Sequence, residues 1–207
     1  MSGNQNQLDA PVLSNNLRAF SEAVNSALKT TALAAALAAN VVQVSPGGQT
    51  FSTISEAIAS ITDASQQKEY VVYAGPGTYK EQVTLKPWVY LQGAGPGVTI
   101  ITAPPASGQG NRGTIVGSSN SSIGSLTATC SGGSWGEWDT ALFCSNAVQF
   151  YAENVELIVN DDNSGGINMA AVAINDTAAS GAPTQVYIAY SIITSTAQNG
   201  ESSSWGL

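Results

Sequence analysis

The chain contains no histidine and few cations, and these two shortages narrow its functions. Its 207 residues include six Lys and Arg against fourteen Asp and Glu, a formal net charge of −8. Nucleic acid is therefore not an expected partner, because phosphate recognition needs clustered Lys and Arg. The lack of His removes the most frequent general base and metal ligand. We expect no cofactor, and an anionic polysaccharide is repelled at long range.

Long apolar runs are also missing. The Ala-rich stretch 32–39 is far too short to span a bilayer, so we expect no membrane insertion. Residues 1–12 have neither the basic nor the apolar region of a secretory signal, and no signal peptide is expected.

Cysteine is scarce as well. Cys130 and Cys144 flank a loop rich in Gly and Trp. Two cysteines carry no pairing pattern, so a disulfide and two buried thiols on neighbouring coils both remain open.

Short strands separated by Gly-rich turns fill residues 44–102. Gly75-Pro76-Gly77 and Gly93-Ala94-Gly95-Pro96-Gly97 are such turns, and no helix fits between the strands. Parallel strands joined by turns predict a coil that stacks on itself, a β-solenoid. The predicted strands are 41–44, 70–74, 82–85, 89–92, 98–102, 114–116, 122–128, 147–152, 155–159, 170–174, 185–190 and 192–194.

Two helices are predicted ahead of these strands. Thr53 and Glu56 form a capping box, and apolar residues share one face, which predicts an amphipathic helix over 53–62. Such a helix would cover the open first coil and its unpaired backbone. Residues 13–40 carry apolar residues at spacings of three and four. This second helix either docks on the solenoid or joins chains into a homo-oligomer, for example a trimer.

The predicted domains are residues 1–40, a tail and helix, and residues 41–207, the solenoid. Residues 202–207 show no capping helix. We therefore expect that the solenoid is truncated, or that Trp205 and Leu207 close its last coil, or that another chain covers it.

The order of short sequence motifs, here called words, in residues 51–101 resembles the N-terminal part of the pectin methylesterases. These words are F-x-T-I-x-x-A-I from Phe51, G-x-Y-x-E from Gly77, L-x-G-x-G from Leu91 and T-I-I from Thr99. The resemblance extends over about residues 41–200. It implies the fold of that family, an all-β right-handed parallel β-helix, here with an amphipathic N-terminal capping helix and a preceding helical segment.

The catalytic words of the pectin methylesterases are not retained. The resemblance implies hydrolysis of a methyl ester by two aspartates, with glutamines in the oxyanion hole and an arginine that orients one aspartate. Residues 170–174 are similar to the family's Q-A-V-A-L, with Ala170 in the glutamine position. Gln198-Asn199-Gly200 is similar to its Q-D-T, with Asn199 in the aspartate position. The words D-F-I-F-G and L-G-R-P-W are absent.

These replacements predict that no catalytic residues remain. An amide such as Asn199 does not titrate near neutral pH, so it cannot act as acid or base. Loss of an oxyanion donor at Ala170 would lower the rate by roughly a hundredfold or more. Glu81, a single carboxylate after a turn, is predicted to be a solvated or capping residue rather than a catalytic one.

Two clusters of side chains are candidate binding sites. Calcium takes six to eight oxygens, but the first cluster lacks calcium-loop spacing, and we predict a solvated acidic turn and no metal. It consists of Glu153, Glu156, Asp161, Asp162 and Asn163. The second is the densest aromatic and acidic loop, in which Trp rings would stack on sugars and carboxylates would accept hydroxyl hydrogen bonds. It consists of Trp135, Glu137, Trp138 and Asp139. The alternative for this loop is Trp packing against the outside of the solenoid.

Two functions are consistent with these observations. The first is a non-catalytic β-helix of an extracellular, cell-surface or virion fibre protein, an adhesin or a carbohydrate-binding module, with a polysaccharide as partner. The second is the N-terminal part of a carbohydrate esterase related to the pectin methylesterases. The natural length of the chain would discriminate between them.

Overall fold

The computed structural model describes residues 40–103, 113–131, 138–147, 149–161, 168–175 and 183–197. A compact unit begins at Asn40. It contains the helix α1 (Ile54–Ser60) and parallel strands joined by turns. The strands are β1 (Val41–Val44), β2 (Tyr70–Ala74), β3 (Gly77–Lys80), β4 (Val83–Thr84), β5 (Val89–Gly93), β6 (Thr99–Ala103), β7 (Ile115–Gly117), β8 (Ser121–Ser131), β9 (Trp138–Ser145), β10 (Phe150–Asp161), β11 (Asn168–Asn175), β12 (Val186–Ala189) and β13 (Ile192–Ala197).

The described strands form two parallel sheets. The larger sheet runs in the order β1-β2-β5-β8-β10-β12, with β3, β6 and β13 paired alongside. The smaller sheet runs in the order β4-β7-β9-β11. Each strand pairs with a strand of the next coil, because the chain passes through both sheets once per turn. The molecule is therefore a right-handed parallel β-helix, which confirms the predicted fold class.

Stacked apolar side chains fill the inside of the coil. In the larger sheet, Val72 pairs with Leu91, Leu91 with Ile123 and Ile123 with Ala152, and all four are buried. In the smaller sheet, Leu142 occupies the equivalent inward position. The two sheets share one hydrophobic core, so each rung is stabilised by the rungs on either side.

The later strands of the larger sheet bend at residues with positive φ, in the left-handed region of backbone conformation. Ser125 and Asn154 have φ of 50° and 53°, and Tyr190 has φ of 52°. The strand register of β8 and β10 skips the first two of these residues. Asn154 Nδ2 donates a hydrogen bond to Ser125 Oγ at 3.1 Å, which ties successive bends together. Residues before and after each bend therefore face different directions on the outer surface.

Helix α1 caps the first coil as predicted. Thr53 is its N-cap and accepts a hydrogen bond from the backbone of Glu56, while Ile54, Ile58 and Ile61 are buried. The helix contacts β1 and β2 of the larger sheet and β4 of the smaller one. Among the residues that the structure describes, no helix is long and apolar enough to cross a membrane.

Most predicted strands are present within one to three residues, and two strands were not predicted. Strand β3 contains the buried Tyr79 between the exposed Thr78 and Lys80, a short alternation that directly follows the predicted turn Gly75-Pro76-Gly77. Strand β9 begins inside the residues interpreted as an aromatic loop. The predicted strands 147–152 and 155–159 form the single strand β10, bent at Asn154. Residues 13–39 of the helix predicted over 13–40 and the end at 202–207 lie outside the described residues, and Asn40 is a turn residue.

Both cysteines are buried, and neither takes part in a disulfide. Cys130 lies on β8 and Cys144 on β9, so they belong to different sheets. Of the two alternatives, the structure has the buried thiols and not the disulfide. Burial raises the pKa of the Cys144 thiol to about 12, and the thiol stays protonated at neutral pH.

Candidate functional site

Strand β11 of the smaller sheet positions the word that is similar to Q-A-V-A-L. Ala170 pairs in register with Thr140 of β9, and its side chain is 8% exposed. A methyl group donates no hydrogen bond, so this position offers no side-chain stabilisation to a developing oxyanion. Asn199 lies outside the described residues.

The predicted sugar-binding loop lies mostly outside the described residues. Trp135 and Glu137 lie outside the described residues, and only the backbone of Trp138 is described. Asp139 pairs with Met169 on the smaller sheet and is 0% exposed, so its carboxylate does not face solvent. Sugar binding by this loop stays a prediction, and the structure supplies no surface at Asp139 for it.

Aromatic and polar side chains are concentrated on the outer face of the larger sheet. One outward column of the register runs from Tyr90 through Ser122 and Tyr151 to Tyr187. The rings of Tyr151 and Tyr187 stack, with centroids 4.9 Å apart and planes at 15°. Both tyrosines are 49% exposed. The spacing of the two strands sets the ring separation, because adjacent strands lie about 4.8 Å apart.

A groove of about 370 Å³ lies on this face, beside the stacked pair. Its floor includes Gly124, where a Cβ would collide with Oε1 of Gln92. The carboxamide of Gln92 therefore lies across the glycine. The polar groups at its edge belong to Gln92, Ser122, Ser125, Glu153 and Asn154.

Tyr90, at the start of the column, has a raised pKa. Burial raises the pKa of its hydroxyl to about 12, and a hydrogen bond with Glu69 adds to the effect. Tyr90 therefore stays neutral at physiological pH.

Comparison with known protein families identifies the family of this chain. The family model described as Pectinesterase matches residues 40–190. The chain belongs to the pectinesterase family. The match covers β1 to β12 and includes Ala170, so the family resemblance seen in the sequence is confirmed over both sheets. No curated protein matches the chain.

Solved pectin methylesterases are among the similar structures. Pectin methylesterase PemA from Erwinia chrysanthemi is 24% identical, with a TM-score of 0.48, over 66% of this chain and 49% of that one. A pectin methylesterase in complex with hexasaccharide VII is 19% identical, with a TM-score of 0.48, over 75% and 66%. The enzyme from carrot is 15% identical, with a TM-score of 0.39, over 79% and 76%. The chain thus spans about half the length of the Erwinia enzyme.

Glu81 of this pectinesterase-family chain caps a helix. Capping was one of the two roles predicted for it. Its Oε1 accepts a hydrogen bond from the backbone N–H of Ile54 at 2.7 Å, and its Oε2 accepts one from Ser55 at 2.9 Å. At the other end of α1, Lys86 Nζ donates to the carbonyl of Ile61 at 2.7 Å. Both side chains belong to the second coil, and each satisfies backbone groups that the helix leaves unpaired.

The residues of the predicted acidic cluster differ in their exposure and in their hydrogen bonds. Glu153 is exposed at the groove, whereas Glu156 Oε2 accepts a hydrogen bond from Thr127 Oγ1 at 2.9 Å. Asp162 and Asn163 lie outside the described residues, as does the side chain of Asp161. Within the described ranges, no three His, Cys, Asp or Glu side chains are grouped to hold a metal ion. The acidic turn stays a prediction.

Sequence reasoning missed the tyrosine column. Tyr90, Tyr151 and Tyr187 are separated by loops of different lengths, so no fixed period relates them. A strand-by-strand alignment of the coils would have provided the signal, since all three directly precede an inward-facing residue: Leu91, Ala152 or Ile188.

Proposed function

We propose that this chain is a non-catalytic member of the pectinesterase family that binds a polysaccharide. The observation that carries the proposal is Ala170, a methyl group where the resemblance implies an oxyanion donor. The polysaccharide is proposed because the family is a pectinesterase family and because the outer face of the larger sheet carries exposed aromatic and polar side chains. We place the protein outside the cell or on a cell or virion surface, as an adhesin or fibre component.

A second candidate function is a carbohydrate esterase of which this chain is one part. The observation in its favour is Asp139, a buried carboxylate on the same sheet as Ala170. Buried carboxylates are frequent in active sites, although structural networks also contain them.

Methanol release from methyl-esterified pectin separates the two candidates. We expect no release above a protein-free blank from the wild-type chain. Turnover that is lost in Asp139→Asn but kept in Glu56→Gln, an exposed control, would establish the esterase and overturn the non-catalytic proposal. Circular dichroism of both variants checks that the fold is retained.

Assembly into a homo-oligomer, a trimer in our proposal, has its own test. Light scattering at micromolar concentration should give the mass of three chains, and deletion of residues 1–40 should return the mass of one. The mass of one chain for the intact protein would contradict the proposal. An oligomer that survives the deletion would move the contact to the β-helix.

A further inference from the structure

The outer face of the larger sheet contains an aromatic platform with one face free. Tyr187 stacks on one side of Tyr151, from the following coil. On the other side, the register partner of Tyr151 is Ser122, whose side chain is too small to cover the ring. The groove lies there, over Ser122 and Gly124. One face of the Tyr151 ring is therefore covered by Tyr187, and the other face is open to the groove.

The hydrogen-bonding groups of the groove surround this platform. Gln92 provides a carboxamide whose one hydrogen bond to Gly93, from Nε2, is long at 3.4 Å. Glu153 lies one rung from Gly124, in register with it, and its carboxylate is exposed. Asn154 is fixed at its bend by the hydrogen bond to Ser125. An aromatic face beside amide and carboxylate groups matches the two surfaces of a pyranose, one apolar and one lined with hydroxyls.

The charge of the groove decides which sugars fit. Of the described residues that line it, none is Lys or Arg, and Glu153 is the charged one. The chain as a whole carries a net charge of −8. A uronate carboxylate placed here would meet a like charge with no cation to compensate it, whereas a neutral sugar would not.

We propose that the groove formed by Gln92, Gly124, Tyr151, Glu153 and Asn154 binds a neutral saccharide. One pyranose ring stacks on the free face of Tyr151, and its hydroxyls exchange hydrogen bonds with Gln92, Glu153 and Asn154. This proposal rests on the proposed polysaccharide-binding function and places its site on the larger sheet, away from the strand that carries Ala170.

The test compares two forms of one oligosaccharide by calorimetric titration. The probes are fully methyl-esterified hexagalacturonate and the same hexasaccharide after de-esterification, which differ in charge on one backbone. We expect the esterified form to bind at least tenfold more tightly. Tyr151→Ala should weaken its binding about tenfold, equivalent to 1.4 kcal/mol. Tyr151→Phe, which keeps the ring, should bind as the wild type does.

Two further variants locate the site. Gly124→Val fills the floor of the groove and should reduce binding to the level of Tyr151→Ala. Tyr73→Ala removes an exposed tyrosine of the same face that does not line the groove, and binding should not change. Circular dichroism should show the same fold in all variants, because Tyr151 and Tyr73 are partly exposed and a Cβ at Gly124 meets the carboxamide end of the Gln92 side chain.

Each contrary outcome has a separate meaning. Binding of the esterified probe that is unchanged in both Tyr151→Ala and Gly124→Val would overturn this site and leave the proposed function standing. Tighter binding of the de-esterified probe would overturn the choice of a neutral sugar. No binding of either probe by the wild-type chain would overturn the polysaccharide function together with this site.

Discussion

The two sheets of the coil share one core but differ in how far the residues around their candidate sites are exposed. On the smaller sheet, the positions around Ala170, including Thr140, Asp139 and Phe143, are buried. On the larger sheet, Tyr151 and Tyr187 are half exposed beside a groove lined with polar side chains. The comparison shows that a β-helix can keep its inward ladder while the other residues differ from one sheet to the other.

The largest loss of stability is expected from a change in α1, the helix that covers the first coil of both sheets. Ile58→Asp would place a charge without a partner between α1 and the first coil, and should lower the free energy of unfolding by several kcal/mol. Urea denaturation measures this loss. The control Ala59→Asp changes an exposed residue of the same helix and should cost less than about 1 kcal/mol. Equal midpoints for Ile58→Asp and the wild type would show that the helix does not cap the core.

Truncation of one buried leucine in each sheet tests whether the core is shared. Leu91→Ala in the larger sheet and Leu142→Ala in the smaller one should each cost about 2–5 kcal/mol, because both leave a cavity in the core. Fluorescence and circular dichroism should then report one transition for each variant. Two separate transitions, or a loss below about 1 kcal/mol at one site, would mean that the sheets unfold independently.

Alkaline pH should weaken the smaller sheet through Cys144. Its pKa rises from 9.0 to about 12 because burial opposes the thiolate. A raised thiol pKa stabilises the fold fully below pH 9, and this contribution is lost between pH 9 and 12, at roughly 1.4 kcal/mol per pH unit.

Urea denaturation should therefore show that the stability of the wild type falls between pH 8 and pH 10.5. In Cys144→Ala, this loss of stability with pH should be smaller. Cys130→Ala, which removes the buried thiol of the larger sheet, is the matched control. If the wild type and Cys144→Ala lose stability with the same slope, the ionisation of Cys144 does not contribute.

The smallest effect is expected from restoring one catalytic side chain on the smaller sheet. Ala170→Gln returns an amide donor to β11 but supplies neither acid nor nucleophile, so methanol release should stay at the blank. Melting temperature should be recorded alongside, because Ala170 is nearly buried. Release by this variant alone would show that the remaining machinery is present and that the glutamine was the missing part.

Sequence reasoning predicted the features that depend on local patterns. Thr53 and Glu56 are three residues apart, and this capping-box pattern was enough to place α1. Glu81 could be assigned a role only loosely, because it caps a helix 27 residues earlier in the chain. Only the pairing of strands brings these two segments together.

The groove could not be predicted for a related reason. Its residues come from three successive coils, and Gln92, Gly124 and Glu153 meet through register alone. The bends at Ser125 and Tyr190 were also missed, since neither residue type is typical of positive φ. Asn154 is such a type and lies in the gap between the predicted strands 147–152 and 155–159, but no bend was predicted there.

One experiment tests recognition without catalysis most directly. The wild-type chain is incubated with methyl-esterified pectin, and the bound fraction and the released methanol are followed in the same sample. We predict that the chain binds and that methanol stays at the level of the blank throughout. Methanol that accumulates in proportion to the amount of protein would contradict the account.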